Sequence, residues 1–137
     1  FALRLGTHRI HKSADGLRWP KVTCRLRMLA PSGYTVGVVF VVKRGASELP
    51  MNDSPSAGDA TTSTSYVDAT LTVQLQDEDV TTTTIELAPG SAASGALPIV
   101  ETVLVHTVTL WLGAYCSSND SSHVGSVAGI SVYLEDP

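Results

Sequence analysis

The side chains able to do chemistry are few and widely spaced along these 137 residues. Cys116 with His106 or His123 is the one pairing that offers a nucleophile beside a base. Cys116, however, ends a strongly β-patterned stretch beside Ser117-Ser118, with no oxyanion-type glycine signature nearby, so no catalysis is expected there. His8 and His11 lie three apart in loop-like sequence, with no cysteine or acid at metal-ligand spacing, and no zinc is expected. Asp77-Glu78-Asp79 offers hard oxygen ligands but lacks the Asp-x-Asp-x-Asp-Gly pattern with a distal Glu. It reads as a solvated acidic turn; a divalent ion, if bound, would be shared between subunits. No Gly-x-Gly-x-x-Gly or phosphate-loop pattern occurs. The expectation is a protein with no catalytic residues, no resident metal and no cofactor.

The charges carry more information. All nine Lys and Arg residues fall in the first 44 positions, opposed there by Asp15 alone. The other twelve acids lie in positions 45–137, which hold no Lys or Arg. Such a split between halves points to a polyanion partner, or to a basic surface meeting an acidic one. Equally, the two halves can neutralise each other across one folded domain. Arg4, Arg9, Lys12, Arg18 and Lys21 fall mostly in loop or outward positions, where phosphates would be met. Binding there would be non-specific and salt-dependent, because nothing resembles a base-reading module.

Among the aromatics, Trp19 sits between Arg18 and Lys21, where a base-stacking platform would want it, although a lone Trp more often belongs to a core or staples a loop. Trp111 is out of phase with Leu110 and Leu112. It reads either as the second face of a fully buried strand or as a subunit contact, where Trp is enriched. Tyr34, Tyr66, Tyr115 and Tyr133 can act similarly, and Trp111, Tyr115, Arg25 and Arg27 are the expected subunit-interface residues.

The elements that must position these groups are strands. Fifteen Ser, fifteen Thr and many Val residues suit a pleated surface, and long helix-forming segments are absent. Phe1 to Gly6 alternates, and so does Val22 to Leu29, with Val22, Cys24, Leu26 and Met28 facing the core. Thr35 to Val42 is an unbroken apolar run, as in a strand covered on both faces. Residues 45–65 read as a long surface loop. Leu71, Val73 and Leu75 mark a half-buried strand, and Thr81 to Leu87 marks another before a loop from Pro89 to Pro98. Val100 to Cys116 is the strongest β segment. Its apolar phase changes near His106-Thr107, which fits two successive strands or one long bent strand. Ser126 to Glu135 closes the pattern, with Ile130, Val132 and Leu134 on one side. Seven or eight short strands at this spacing predict a β-sandwich.

The length suits one domain over residues 1–137, able to fold without disulfides or metal. Cys24 and Cys116 read as free cysteines in apolar stretches, which mildly favours a reducing compartment. No apolar run approaches the 18 or so residues of a membrane helix, so no membrane partner is expected. The chain starts at Phe1 and not at Met, so further sequence is expected upstream.

Trp19-Pro-Lys-Val-Thr-Cys-Arg-Leu-Arg-Met-Leu-Ala-Pro, followed by Tyr34-Thr-Val-Gly-Val-Val-Phe-Val-Val-Lys, resembles paired strands of small plant-virus coat proteins. Thr109-Leu-Trp-Leu-Gly-Ala-Tyr-Cys-Ser-Ser and Ile130-Ser-Val-Tyr-Leu-Glu resemble the last two strands of such a shell domain. The nearest patterns are nanovirus-like, with tymovirus-like and bromovirus-like shells also similar. The resemblance spans roughly residues 19–44 and 103–135 and rests on strand patterns. It implies an eight-stranded antiparallel jelly roll, self-assembly into an icosahedral shell, packaging of viral nucleic acid, and a location in the virion, with assembly in host cytoplasm or nucleus. The family's Arg-rich arm before the first strand is missing from these residues and is expected upstream of Phe1. The competing reading is a carbohydrate- or protein-binding β-sandwich, such as an adhesin or lectin-like module.

Overall fold

The computed structural model describes residues 2–43, 56–87 and 101–135, and these form eight strands in two antiparallel sheets. The strands are β1 (Ala2–Arg9), β2 (Lys21–Leu29), β3 (Val36–Lys43), β4 (Ser56–Thr61), β5 (Val67–Gln74), β6 (Thr81–Leu87), β7 (Glu101–Cys116) and β8 (Ser126–Glu135). One sheet runs β1-β7-β3-β4, with β6 also paired to β7; the other runs β5-β2-β8. The expected all-β, sandwich-like architecture is therefore present.

Alternation sets the core. Val22, Cys24, Leu26 and Met28 of β2 are all buried, and meet Val36, Val38, Phe40 and Val42 of β3 and Val108, Leu110 and Leu112 of β7 from the opposite sheet. Burying each such large apolar side chain contributes about 1.5–3 kcal/mol. Thr23 points to the other side of β2 yet is fully buried; its hydroxyl is bonded to that of Thr72 at 3.0 Å. Cys24 lies deep enough that burial alone pushes its thiol up to about 11, so it is an inert part of the core. Both cysteines are free.

Two expectations need correction. The long loop read over 45–65 contains β4, which pairs with β3 from Val36↔Thr61 to Val41↔Ser56. Its sequence, Ser-Ala-Gly-Asp-Ala-Thr, has little β propensity, so the template edge of β3 makes this strand. Residues 44–55 of that loop, and the loop from Pro89 to Pro98, lie outside the described residues. The acidic turn is also not simply solvated. Asp77–Asp79 is a 3-10 turn in which Asp79 is buried and accepts the Gln76 backbone N–H at 2.7 Å.

The phase change at His106-Thr107 does not break the chain. β7 is one 16-residue strand whose register with β6 ends at Thr81↔Thr107 and whose register with β3 resumes at Lys43↔Thr109. Val103 and Val105 thus lie on the same outer face as Trp111, while Val108, Leu110 and Leu112 face inward. The strand keeps its phase and changes which side is apolar.

Burial raises the pKa of Asp79, and the carboxyl's oxygen closes the turn. Asp79→Ala leaves the Gln76 N–H without its acceptor and should cost about 1–3 kcal/mol in urea unfolding. Asp79→Asn keeps an acceptor and removes the charge, so it should retain most of that stability; equal losses in the two variants would show that the cap contributes nothing.

Candidate functional site

The residues expected to meet phosphate do not form one patch. Lys12, Arg18 and Lys21 gather at one end of the sandwich around Trp19, whereas Arg4 and Arg9 lie on β1 at the edge of the other sheet. Trp19 is buried, and its indole N–H donates to Asp77 Oδ1 at 2.6 Å. Lys12 Nζ stands 5.0 Å from the Trp19 ring centroid and 3.4 Å from the same Asp77 oxygen. His106 packs edge-on against the indole with centroids 5.1 Å apart. Trp19 is thus a staple joining the segment before β2 to the turn after β5, and it offers no open face for a base. Arg18, Lys21, Asp77 and Glu135 line a cleft of about 420 Å³ beside it, so cations and carboxylates alternate there.

A basic row runs along the outer side of β2, with Asp68 opposite Arg27 and Glu135 opposite Lys21 on the neighbouring strands. Lys21, Arg25 and Arg27 are exposed at alternate-side positions of one strand, and alternation places all three on the face away from the core. Arg25 lies 5.4 Å from the Tyr133 ring centroid and Arg27 5.4 Å from that of Tyr66, each as a cation over an aromatic face. The Tyr66 hydroxyl is held by Ser126 at 2.7 Å. Gly129, at φ +63°, sits at an irregularity in the β2–β8 pairing, and its missing side chain leaves room for the Arg27 guanidinium. Arg25, Arg27, Asp68 and Thr70 line a groove of about 380 Å³. Sequence reasoning separated Lys21 from Arg25 and Arg27 by role; strand parity puts them in one row. Their tyrosine supports were not predictable, because Tyr66 and Tyr133 come from other parts of the chain.

The outer face of the other sheet carries the remaining expected residues. Trp111 stands between Arg4 on β1 and Val41 on β3, pointing away from Leu110 and Leu112 as its phase requires. It is 9% exposed, and its buried Nε1 has no hydrogen-bond partner among the described residues. Tyr115 is 52% exposed and lies across Gly37, where a methyl group would fall inside its ring. Of the two aromatics expected at a subunit interface, Tyr115 has the accessible surface. Arg4 donates to the Thr7 hydroxyl at 3.1 Å, and Thr7 is bonded to Thr109 at 2.9 Å. Arg25 and Arg27, expected beside these aromatics, lie on the other sheet.

Cys116 and His123 line a shared cleft of about 590 Å³, yet among the described residues no hydrogen bond joins Cys116 to either histidine. His123 Nδ1 lies 3.4 Å from Asp120 and 3.2 Å from the Ser122 hydroxyl. Asp120 sits below its usual carboxylate value chiefly because the Ser122 backbone N–H donates to it. His106 is at the Trp19 end, bonded through Nδ1 to Thr82 at 2.8 Å.

Among the described residues one carboxylate bridges a Lys or Arg, the Asp77 of the Lys12 pair. Arg4, Arg9, Arg18, Lys21, Arg25 and Arg27 are all exposed. Folding therefore does not cancel the charge segregation by direct pairing within those residues.

No protein-family model matches the chain, no curated protein matches it, and no solved structure matches it.

The Trp19 contact, and then Lys12, lower the pKa of Asp77. Because the folded value is depressed, the stabilisation is complete above the ordinary value of 3.8 and is lost as pH falls through the lower, folded value. Indole emission should therefore change with a midpoint below 3.8, and Asp77→Asn should remove that transition. A midpoint at or above 3.8 would show that the contact does not hold the carboxylate.

Proposed function

We propose that this chain is a non-enzymatic, self-assembling structural protein, the shell-domain coat protein of a small non-enveloped icosahedral virus. The observation that carries the reading is the exposed basic set on a chain whose remaining charges are acidic. Such a chain offers cations to a polyanion and both signs of charge to copies of itself. Within the virion the polyanion is the viral nucleic acid, bound through phosphates without sequence readout.

Strand pairing gives partial support to the jelly-roll form of this proposal. A jelly roll is an antiparallel ribbon rolled into two sheets. The pair β2–β8 in one sheet and the pair β3–β7 in the other follow the order of successive rungs in such a ribbon. The next rung would pair β4 with β6, whereas β4 lies on β3 and β6 on β7. The proposed fold is accordingly a jelly roll with its first two rungs in place and its outer strands rearranged. The sequence resemblance to nanovirus-like coat proteins supports the same reading through residues 19–44 and 103–135, which include β2, β3, most of β7 and β8.

The basic row on β2 is the stronger candidate for phosphate, because Lys21, Arg25 and Arg27 share one open face and two of them are held in place by tyrosine rings. Arg4 and Arg9 are better placed for contact between copies, on a strand at a sheet edge.

Negative-stain microscopy and sedimentation across ionic strength test the proposal. Uniform hollow particles that loosen as salt screens the opposed charges are the expected result. Dispersed monomers at every salt and pH would overturn it and bring forward a sugar- or protein-binding sandwich.

A further inference from the structure

The first part of β7 outruns the sandwich. Residues Glu101 to Thr107 pair with β6 from Leu87↔Glu101 to Thr81↔Thr107, and β6 pairs with no other described strand. On the opposite side of β7, β1 reaches only Thr107, with one further bond from the Ile10 N–H to the His106 carbonyl. What projects is a two-stranded ribbon whose edges are both open among the described residues. A ribbon of two strands is marginal in water unless something packs on it. This one also exposes Leu104 at 62%, with Val103 and Ile85 open to a lesser degree.

Open edges are normally guarded by charges, bulges or prolines. β1 carries Arg4 and Arg9, which bar a basic edge and admit an acidic one, with a bulge confined to Arg4–Gly6, and β8 has its irregularity near Gly129. The run Thr-Thr-Thr-Thr-Ile-Glu-Leu of β6 has one charge, no proline and no register shift. It is a strand left ready for pairing.

Charge selects the partner. Among the described residues β1, β4, β5, β6 and β8 each have an open edge, and β7 has one over its first residues, where it carries the acid Glu101. Asp59 on β4, Asp68 on β5, Glu86 on β6 and Glu135 on β8 are the only charged side chains of those four strands, whereas β1 carries Arg4 and Arg9 and no acid. An edge-to-edge pairing that avoids β1 therefore offers Glu86 no cation on the edge strand itself, whereas β1 offers Arg4 and Arg9. β6 cannot reach β1 of its own chain. Thr107 pairs with Arg9 on one side and with Thr81 on the other, so the two strands flank β7 and turn their open edges in opposite directions.

We infer that the β6–β7 ribbon is an arm that docks on the β1 edge of a second copy of this chain, with Glu86 set against Arg4 and Arg9. The inference rests on the self-assembly proposed above and names the contact that carries it. Strand addition supplies the affinity through main-chain hydrogen bonds, and the charges supply the choice of edge. The contact is heterologous, since one copy gives an arm and the other an edge; it therefore propagates into rings, shells or open chains according to the rotation between copies.

Charge reversal at exposed positions tests this in the full chain by sedimentation velocity. Glu86→Arg alone, and Arg4→Glu with Arg9→Glu, should each weaken self-association at least about tenfold, with thermal melts unchanged. Mixing these two variants should restore association, because the reversed arm of one matches the reversed edge of the other. All three reversals in one chain should restore it as well. Wild-type assembly that survives Glu86→Arg would overturn the arm while leaving self-assembly standing, and so would a mixture that stays dissociated. A wild-type chain that is monomeric at all concentrations would overturn both.

Discussion

A strand must satisfy hydrogen-bonding groups on two edges and find cover for two faces, and β7 meets that constraint with three different partners. β1 takes one edge over residues 107–113, while β3 and β6 share the other. Inward, Val108, Leu110 and Leu112 close the core against β2; outward, Trp111 is buried between Arg4 and Val41. The position of β1, the reach of the β6 ribbon and the burial of Trp111 all follow from this one strand being longer than the core it serves. A shorter β7 would leave β6 nothing to pair with and β1 a weaker anchor.

Strand identity was legible where the period of two was clear. β2 and β5 carry that alternation, β8 carries enough of it to fix its inner face, and β3 is legible as a strand from its unbroken apolar run. β4 was illegible because its residues do not ask to be a strand; β3 imposes the state on them. The apolar phase change in β7 signalled an event correctly and its nature less well. It marks where the strand leaves the sandwich, since beyond the core edge the outer face becomes the apolar one, with Val103 and Val105 on it. Length of exposure, unlike alternation, leaves no mark in a local pattern.

The candidate surfaces were only half legible for a related reason. Charge segregation is a property of sequence, and among the described residues one Lys or Arg is bridged to a carboxylate. Which cations stand together depends on strand parity and sheet membership. Lys21, Arg25 and Arg27 become neighbours in function through β2, and Arg4 and Arg9 part from them through β1. The segment from Lys12 to Trp19 looked most like a nucleic-acid contact, with its aromatic among basic residues. The Trp19–Asp77 hydrogen bond commits that indole to structure. Spacing cannot reveal such a bond, because its partner lies 58 positions away.

Opposite charges stand across from each other in the β5-β2-β8 sheet, at Arg27 and Asp68 and at Lys21 and Glu135, but Glu86 and the β1 cations are held apart for a geometric reason. Here the reason is the order of the sheet. β7 stands between β1 and β6, so the basic edge and the acidic ribbon face away from each other and neither can satisfy the other intramolecularly. The β5-β2-β8 sheet holds the Lys21–Arg25–Arg27 row on its outer face, separated by the full thickness of the core from the face that presents Trp111 and Tyr115. In the assembly proposed above, that fixed strand order would turn the charge pattern into a directional preference between molecules.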